Sequence, residues 1–122
     1  MLSVKPHPLF TRDGEHILCR VPLSFVQATL GTTLEVPTLD GRVRMKVPAG
    51  TQGGRVFRLR GKGLPSRDRG TRGDQMVTVH VEVPQNHTDE QRDLLKKFDA
   101  LMGRESQPEQ KSFWDKVREL FA

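Results

Sequence analysis

Residues 33–47, TLEVPTLDGRVRMKV, constrain the fold more than any other stretch. Two runs of alternating apolar and polar residues flank Asp40-Gly41. That pair is favoured in two-residue hairpin loops, because both central positions of a type I′ turn require positive φ. Placing these two residues at the centre of the turn predicts a register. Leu39 faces Arg42, Thr38 faces Val43, Val36 faces Met45 and Leu34 faces Val47. Glu35 then meets Lys46, and Pro37 meets Arg44. Leu34, Val36, Val43, Met45 and Val47 share one face, and a one-residue slip would scatter them. A two-stranded ribbon with one apolar face does not stand alone in water. The rest of the chain must cover it, or a guest must.

With 122 residues the chain has room for one domain, but only 34% of them are hydrophobic and 6% aromatic. Such a core is thin, which suits sheets packed face to face better than a large bundle. The 11 glycines and 8 prolines favour short strands and turns. A net charge of +5 and a pI near 9.9 fit either an acidic partner such as nucleic acid or a solvated basic surface. The second is favoured, because no aromatic residue interleaves with the basic run as a stacking platform would. Cys19 is the single cysteine, so no internal disulfide forms, as in a reducing compartment. The opening MLSVKPHPLF has no signal-peptide layout, and no run approaches the roughly 18 apolar residues of a membrane helix. A soluble, cytoplasmic protein without a membrane partner is expected.

Taken in order, residues 1–14 read as an extended arm or linker with no element of its own. Residues 16–21 alternate as a strand, which Pro22 ends. Ser24 caps a short helix over SFVQATLG, with Gln27 completing a capping box and Gly31 stopping it. The hairpin follows, then the loop PAGTQGG. Residues 56–60 form a strand with Phe57 and Leu59 on one face. Residues 61–74, GKGLPSRDRGTRGD, read as a glycine- and arginine-rich loop. Residues 76–83 alternate through Val77, Val79, Val81 and Val83 until Pro84. The period then changes. Thr88 and Gln91 form a capping box opening a helix striped by Leu94, Leu95, Phe98, Leu101 and Met102, with Gly103 as its stop. Residues 104–107 are a polar hinge. Pro108 begins a last helix whose apolar face is Phe113, Trp114, Val117, Leu120 and Phe121.

Chemistry is largely absent. His7, His16, His80 and His87 belong to no zinc-ligand pattern. Ser24 and Ser66 lack the glycines of a nucleophile elbow. Cys19 reads as a small buried hydrophobe. Gly54 and Gly61-Lys62 do not have the spacing of a phosphate loop. Arg67, Arg69 and Arg72 lie on the loop after the strand of residues 56–60, which reads as a flexible solvated connection in preference to a phosphate grip. No enzyme, metal or cofactor is expected. Two surfaces remain. The apolar face of Cys19, Val21, Leu34 and Val36 is by default plain core; alternatively it is a shallow groove for an extended apolar peptide. The last helix is too short to persist alone and must dock on its own domain or on another chain, with docking in trans favoured.

VPLSFVQATLG, EVPTLDGRV, VPAGTQGGRVFRLRGKGLP and RGDQMVTVHVEVP closely resemble the C-terminal region of DnaJ-family co-chaperones. KPHPLFTRDG resembles the junction between that family's two C-terminal β domains, and SFWDKVRELF its terminal dimerisation helix. There is no HPD tripeptide and no CxxCxGxG repeat, so neither a J domain nor its ATPase stimulation, nor a zinc region, is implied. The resemblance implies a fragment. Residues 1–14 are a linker or the end of a preceding domain. Residues 15–87 are a mainly β domain, a small two-sheet β sandwich with one short helix. Residues 88–122 are C-terminal α-helices forming the dimerisation segment. It implies a homodimer joined through Phe113, Trp114, Val117, Leu120 and Phe121. It also implies a client-peptide groove at Cys19, Val21, Leu34 and Val36 with Thr38 at its edge, and service to a DnaK-type chaperone. The rival is a nucleic-acid module using Arg55, Arg58, Arg60, Lys62, Arg67, Arg69 and Arg72.

Overall fold

A computed structural model describes residues 9–66, 70–103 and 106–121. The chain divides into two compact units, Met1–Pro84 and Gln85–Ala122.

The first unit is built from two sheets. Strands β1 (Phe10–Asp13), β2 (His16–Ser24), β5 (Val56–Leu59) and β6 (Gln75–Glu82) form one sheet in the order β1-β2-β6-β5. Within it β2 and β6 run parallel, and the other pairs are antiparallel. Strands β3 (Thr32–Thr38) and β4 (Gly41–Val47) form a separate antiparallel ribbon. Helix α1 (Phe25–Leu30) lies between β2 and β3 in sequence. Ser24 and Gln27 make the reciprocal capping bonds expected of them. Leu23, Val77 and Val79 from the first sheet meet Val36, Met45 and Val47 from the ribbon and Ala28 from α1 in one buried cluster. The fold is therefore mainly β, as the sparse apolar content required.

The alternation in residues 33–47 does place one face inward, yet the register differs from expectation. Leu34 pairs with Met45, Val36 with Val43, Glu35 with Arg44 and Pro37 with Arg42. The central turn residues are Leu39 and Asp40, with Thr38 opposite Gly41. Among the described residues none other than glycine has positive φ, so Asp40 does not adopt the type I′ conformation; Gly41, at φ 115°, takes the left-handed position after it. The Thr38 hydroxyl donates to the Gly41 carbonyl at 2.8 Å and accepts from the Asp40 N–H at 3.2 Å, closing the turn. The shift is by two residues, so every side chain keeps its face.

Three other expectations change. Phe10–Asp13 is a strand on the edge of β2, where a linker was expected; residues 1–8 lie outside the described residues. Strand β2 does not stop at Pro22 but continues to Ser24 against β6. The Ile17 N–H donates to the Asp74 carbonyl on the β6 side, so the alternate position Pro22 would turn its N–H away from β6. Described β1 pairs reach only Cys19, and a missing donor there breaks no ladder. The described parts of the expected loop, residues 61–66 and 70–74, are held to one another: Gly63 and Gly73, Leu64 and Gly73, and Ser66 and Thr71 are joined by backbone hydrogen bonds. The Leu64 N–H donates to the Glu15 carbonyl at 2.8 Å, docking this small hairpin on the β1–β2 turn.

The second unit holds α2 (Asp89–Leu101) and α3 (Pro108–Phe121). Thr88 and Gln91 cap α2 as expected. Its end is capped by Met102 in extended conformation, one residue before the expected Gly103. Pro108 opens α3, where its missing N–H costs nothing. Of the expected hinge, Arg104 and Glu105 lie outside the described residues.

Candidate functional site

The five strand residues expected to line a groove do not share one surface. Val36 is 1% exposed and belongs to the buried cluster. Cys19 is buried but outside that cluster, and burial pushes its thiol pKa up, leaving a protonated and unreactive sulfur. Thr38 is buried with its hydroxyl committed to the hairpin turn. Val21 and Leu34 are half-exposed and pack against the core from its margin, so they are the members of the set that a ligand can reach.

The α3 residues are differently disposed. Phe113 is 57% exposed, Trp114 51%, Leu120 79% and Phe121 84%, while Val117 is half-buried. The Phe113 and Trp114 rings stand edge to face, 5.0 Å apart. On α2, Leu94, Phe98 and Leu101 are exposed as well. Neither helix buries any described residue. A cleft of about 320 Å³ lies at the corner of α2 and α3, lined by Asp99, Met102, Trp114 and Arg118 among others. Two amphipathic helices with dry faces left in solvent lack what normally stabilises a helix in water, a packed apolar side.

Three of the basic residues of the nucleic-acid reading, Arg55, Arg58 and Arg72, already have partners. Arg58 pairs with Asp74, whose other carboxylate oxygen accepts the Gly61 N–H at 2.8 Å. The Gly61 N–H and then Arg58 hold the Asp74 carboxyl below the usual carboxylate range. Arg72 bonds to Asp40 and to the Gly63 carbonyl, and likewise lowers the Asp40 pKa. The Arg55 guanidinium lies 4.9 Å from the centre of the Phe57 ring. Arg67 and Arg69 lie outside the described residues. A cation already paired with a carboxylate meets a phosphate only by giving up that pair, so Arg58 and Arg72 are poor phosphate grips.

Two features escaped the sequence reading. Gln75, fully buried, donates from Nε2 to the Pro37 carbonyl at 2.9 Å and so ties the sheet to the ribbon. Its position two before Val77 and four before Val79 was the available signal, since a strand repeats its inward face every second residue. Gly63 and Gly73 permit close approach: a Cβ on Gly73 would fall 2.1 Å from the Glu15 carbonyl oxygen. No cluster of potential metal ligands occurs among the described residues, and no described helix is long and apolar enough to cross a membrane.

The family described as DnaJ C terminal domain matches residues 1–84, and that described as Chaperone protein DnaJ C-terminal region matches residues 90–122. Chaperone protein DnaJ of Ruminiclostridium cellulolyticum is 52% identical over 120 residues, covering 98% of this chain and 32% of that protein. The namesake from Syntrophotalea carbinolica is 52% identical over 121 residues, covering 99% of this chain and 32% of the relative. That from Opitutus terrae is 50% identical over 121 residues, with the same coverage. The chain thus spans about a third of the length of the relatives it matches. With a two-sheet β unit in the first matched segment and two amphipathic helices in the second, the chain belongs to the DnaJ C-terminal domain family.

Proposed function

We propose that this chain is the client-holding and self-associating portion of a co-chaperone, non-enzymatic in itself, that presents unfolded polypeptides to a DnaK-type chaperone. The observation that carries this reading is α3, whose apolar residues remain unburied in the single chain. Covering five such side chains is worth on the order of 5–10 kcal/mol before the entropy of association is deducted. A second copy offers the same surface, so a two-fold pairing through Phe113, Trp114, Val117, Leu120 and Phe121 covers both at once. Two β units on one dimer then hold a long client with a raised effective concentration. Client contact falls on Val21 and Leu34, at the margin of the core; Cys19, Val36 and Thr38 support that margin from inside. Family membership supports the chaperone role, and the ion pairs of Arg58 and Arg72 weigh against the nucleic-acid rival.

Removing residues 107–122 should convert a dimer to a monomer by light scattering; an unchanged dimer would exclude α3 as the joint. Val21→Asp and Leu34→Asp should each weaken suppression of aggregation of a chemically denatured reporter enzyme while the circular dichroism spectrum is kept. Full activity in both would remove the β margin from client binding. Val36→Asp, by contrast, should unfold the domain, because it places a charge in the core.

A further inference from the structure

We infer that the outer edge of β4 binds an acidic, extended polypeptide segment as a third strand of the β3–β4 ribbon. Among the described residues this sheet has two strands only. The Pro37 carbonyl accepts from Gln75, outside the ribbon, so at Pro37, Glu35 and Thr33 the β3 backbone groups turn away from β4. Their register partners are Arg42, Arg44 and Lys46. In an antiparallel pair such partners both point their N–H and C=O groups outward. Arg42, Arg44 and Lys46 therefore line an edge with which no described strand pairs.

The same three residues carry their side chains on the outer face of the ribbon, and all three are exposed. Alternate residues of a strand repeat at about 6.8 Å. One carboxylate, Glu35, stands among them, 3.5 Å from Arg42 and opposite Arg44. Among the described residues Arg42 alone of the three has a carboxylate ion pair, so positive charge is in excess along this face. A strand added to this edge with Asp or Glu at alternate positions matches the repeat, placing a carboxylate beside each cation while its backbone takes up the free N–H and C=O groups. A second copy of the chain fits badly, because β4 against β4 sets cation beside cation. Nucleic acid would meet the charges but leave the edge donors and acceptors unpaired. The inference stands apart from the co-chaperone reading, since it uses neither α3 nor the core margin.

The test titrates the whole chain into a short fluorescein-labelled peptide of alternating valine and glutamate. It reads anisotropy together with hydrogen exchange at the amides of Arg42, Arg44 and Lys46. Saturable binding with slowed exchange at those amides is expected. A peptide of the same composition with its glutamates in one block should bind about tenfold more weakly. Arg44→Glu with Lys46→Glu, both at solvent-exposed positions and checked by circular dichroism, should lose about tenfold or more and gain affinity for a peptide of alternating valine and lysine. Absence of binding, equal binding of block and alternating peptides, or unchanged exchange at the edge amides of the unaltered chain overturns the proposal. An oligothymidylate of matched charge that binds more tightly than the peptide assigns the cations to nucleic acid and overturns it too.

Discussion

Gln75 occupies the inward row of β6 with Val77 and Val79 and has no exposed surface. Its Nε2 serves the Pro37 carbonyl, which points away from β4 and would otherwise be short of a donor; its Oε1 has no partner among the described residues. Gln75→Ala removes the bond and leaves a cavity, and should cost about 2–3 kcal/mol in urea unfolding. A change below about 0.5 kcal/mol would make the bridging amide dispensable. The alternation expected over residues 76–83 marks position 75 as inward only when extended by one residue, and its partner lies 38 residues away in sequence, so the bond was not legible there. Asp40 and Asp74 carry a pH prediction. Both carboxyls sit below their ordinary value in the fold, held by Arg72 in one case and by Gly61 and Arg58 in the other. Their stabilisation is therefore complete above the unfolded-state pKa of about 3.9 and is lost as pH falls through the folded values. Thermal melts should show this acid-side loss, and it should be shallower in Asp74→Asn. An identical profile would show that Asp74 contributes nothing to it.

The hairpin and the glycine loop respond to different constraints. In the ribbon, side-chain alternation is a property of neighbouring residues, so the buried face was readable directly. The pairing was not, because Asp40 and Gly41 allow more than one turn and only the closing bonds of Thr38 select among them. Strand β2 similarly reads as broken at Pro22 until the neighbour on each side is known. Residues 61–74 look like a solvated connection because glycine and arginine are common in such segments. Gly63, Leu64 and Gly73 are instead placed by Glu15, a residue far away in sequence, against whose carbonyl they lie. Gly73→Ala should destabilise the domain by about 3 kcal/mol or more, since the Glu15 backbone, whose carbonyl also accepts the Leu64 N–H, cannot yield to the added methyl. A Tm equal to that of the unaltered chain would contradict this close contact.

At the scale of the molecule, the question is what covers α2 and α3. The single tryptophan, Trp114, reports on it directly. Trp114 is 51% exposed in the isolated chain, so its emission should shift to the blue as concentration rises and the helix face is buried, and return on dilution. Emission that stays constant while light scattering reports a dimer would place the joint elsewhere. Local pattern alone determined that this chain is a thin β structure followed by amphipathic helices, because period, capping residues and turn formers act within a few positions of one another. Its long matching segments also determined the family. Tertiary structure decided which members of the apolar face are interior and which arginines are free. It also decided which strand edge stays open. Burial and pairing are set by residues distant in sequence, and no local pattern encodes where those residues will arrive.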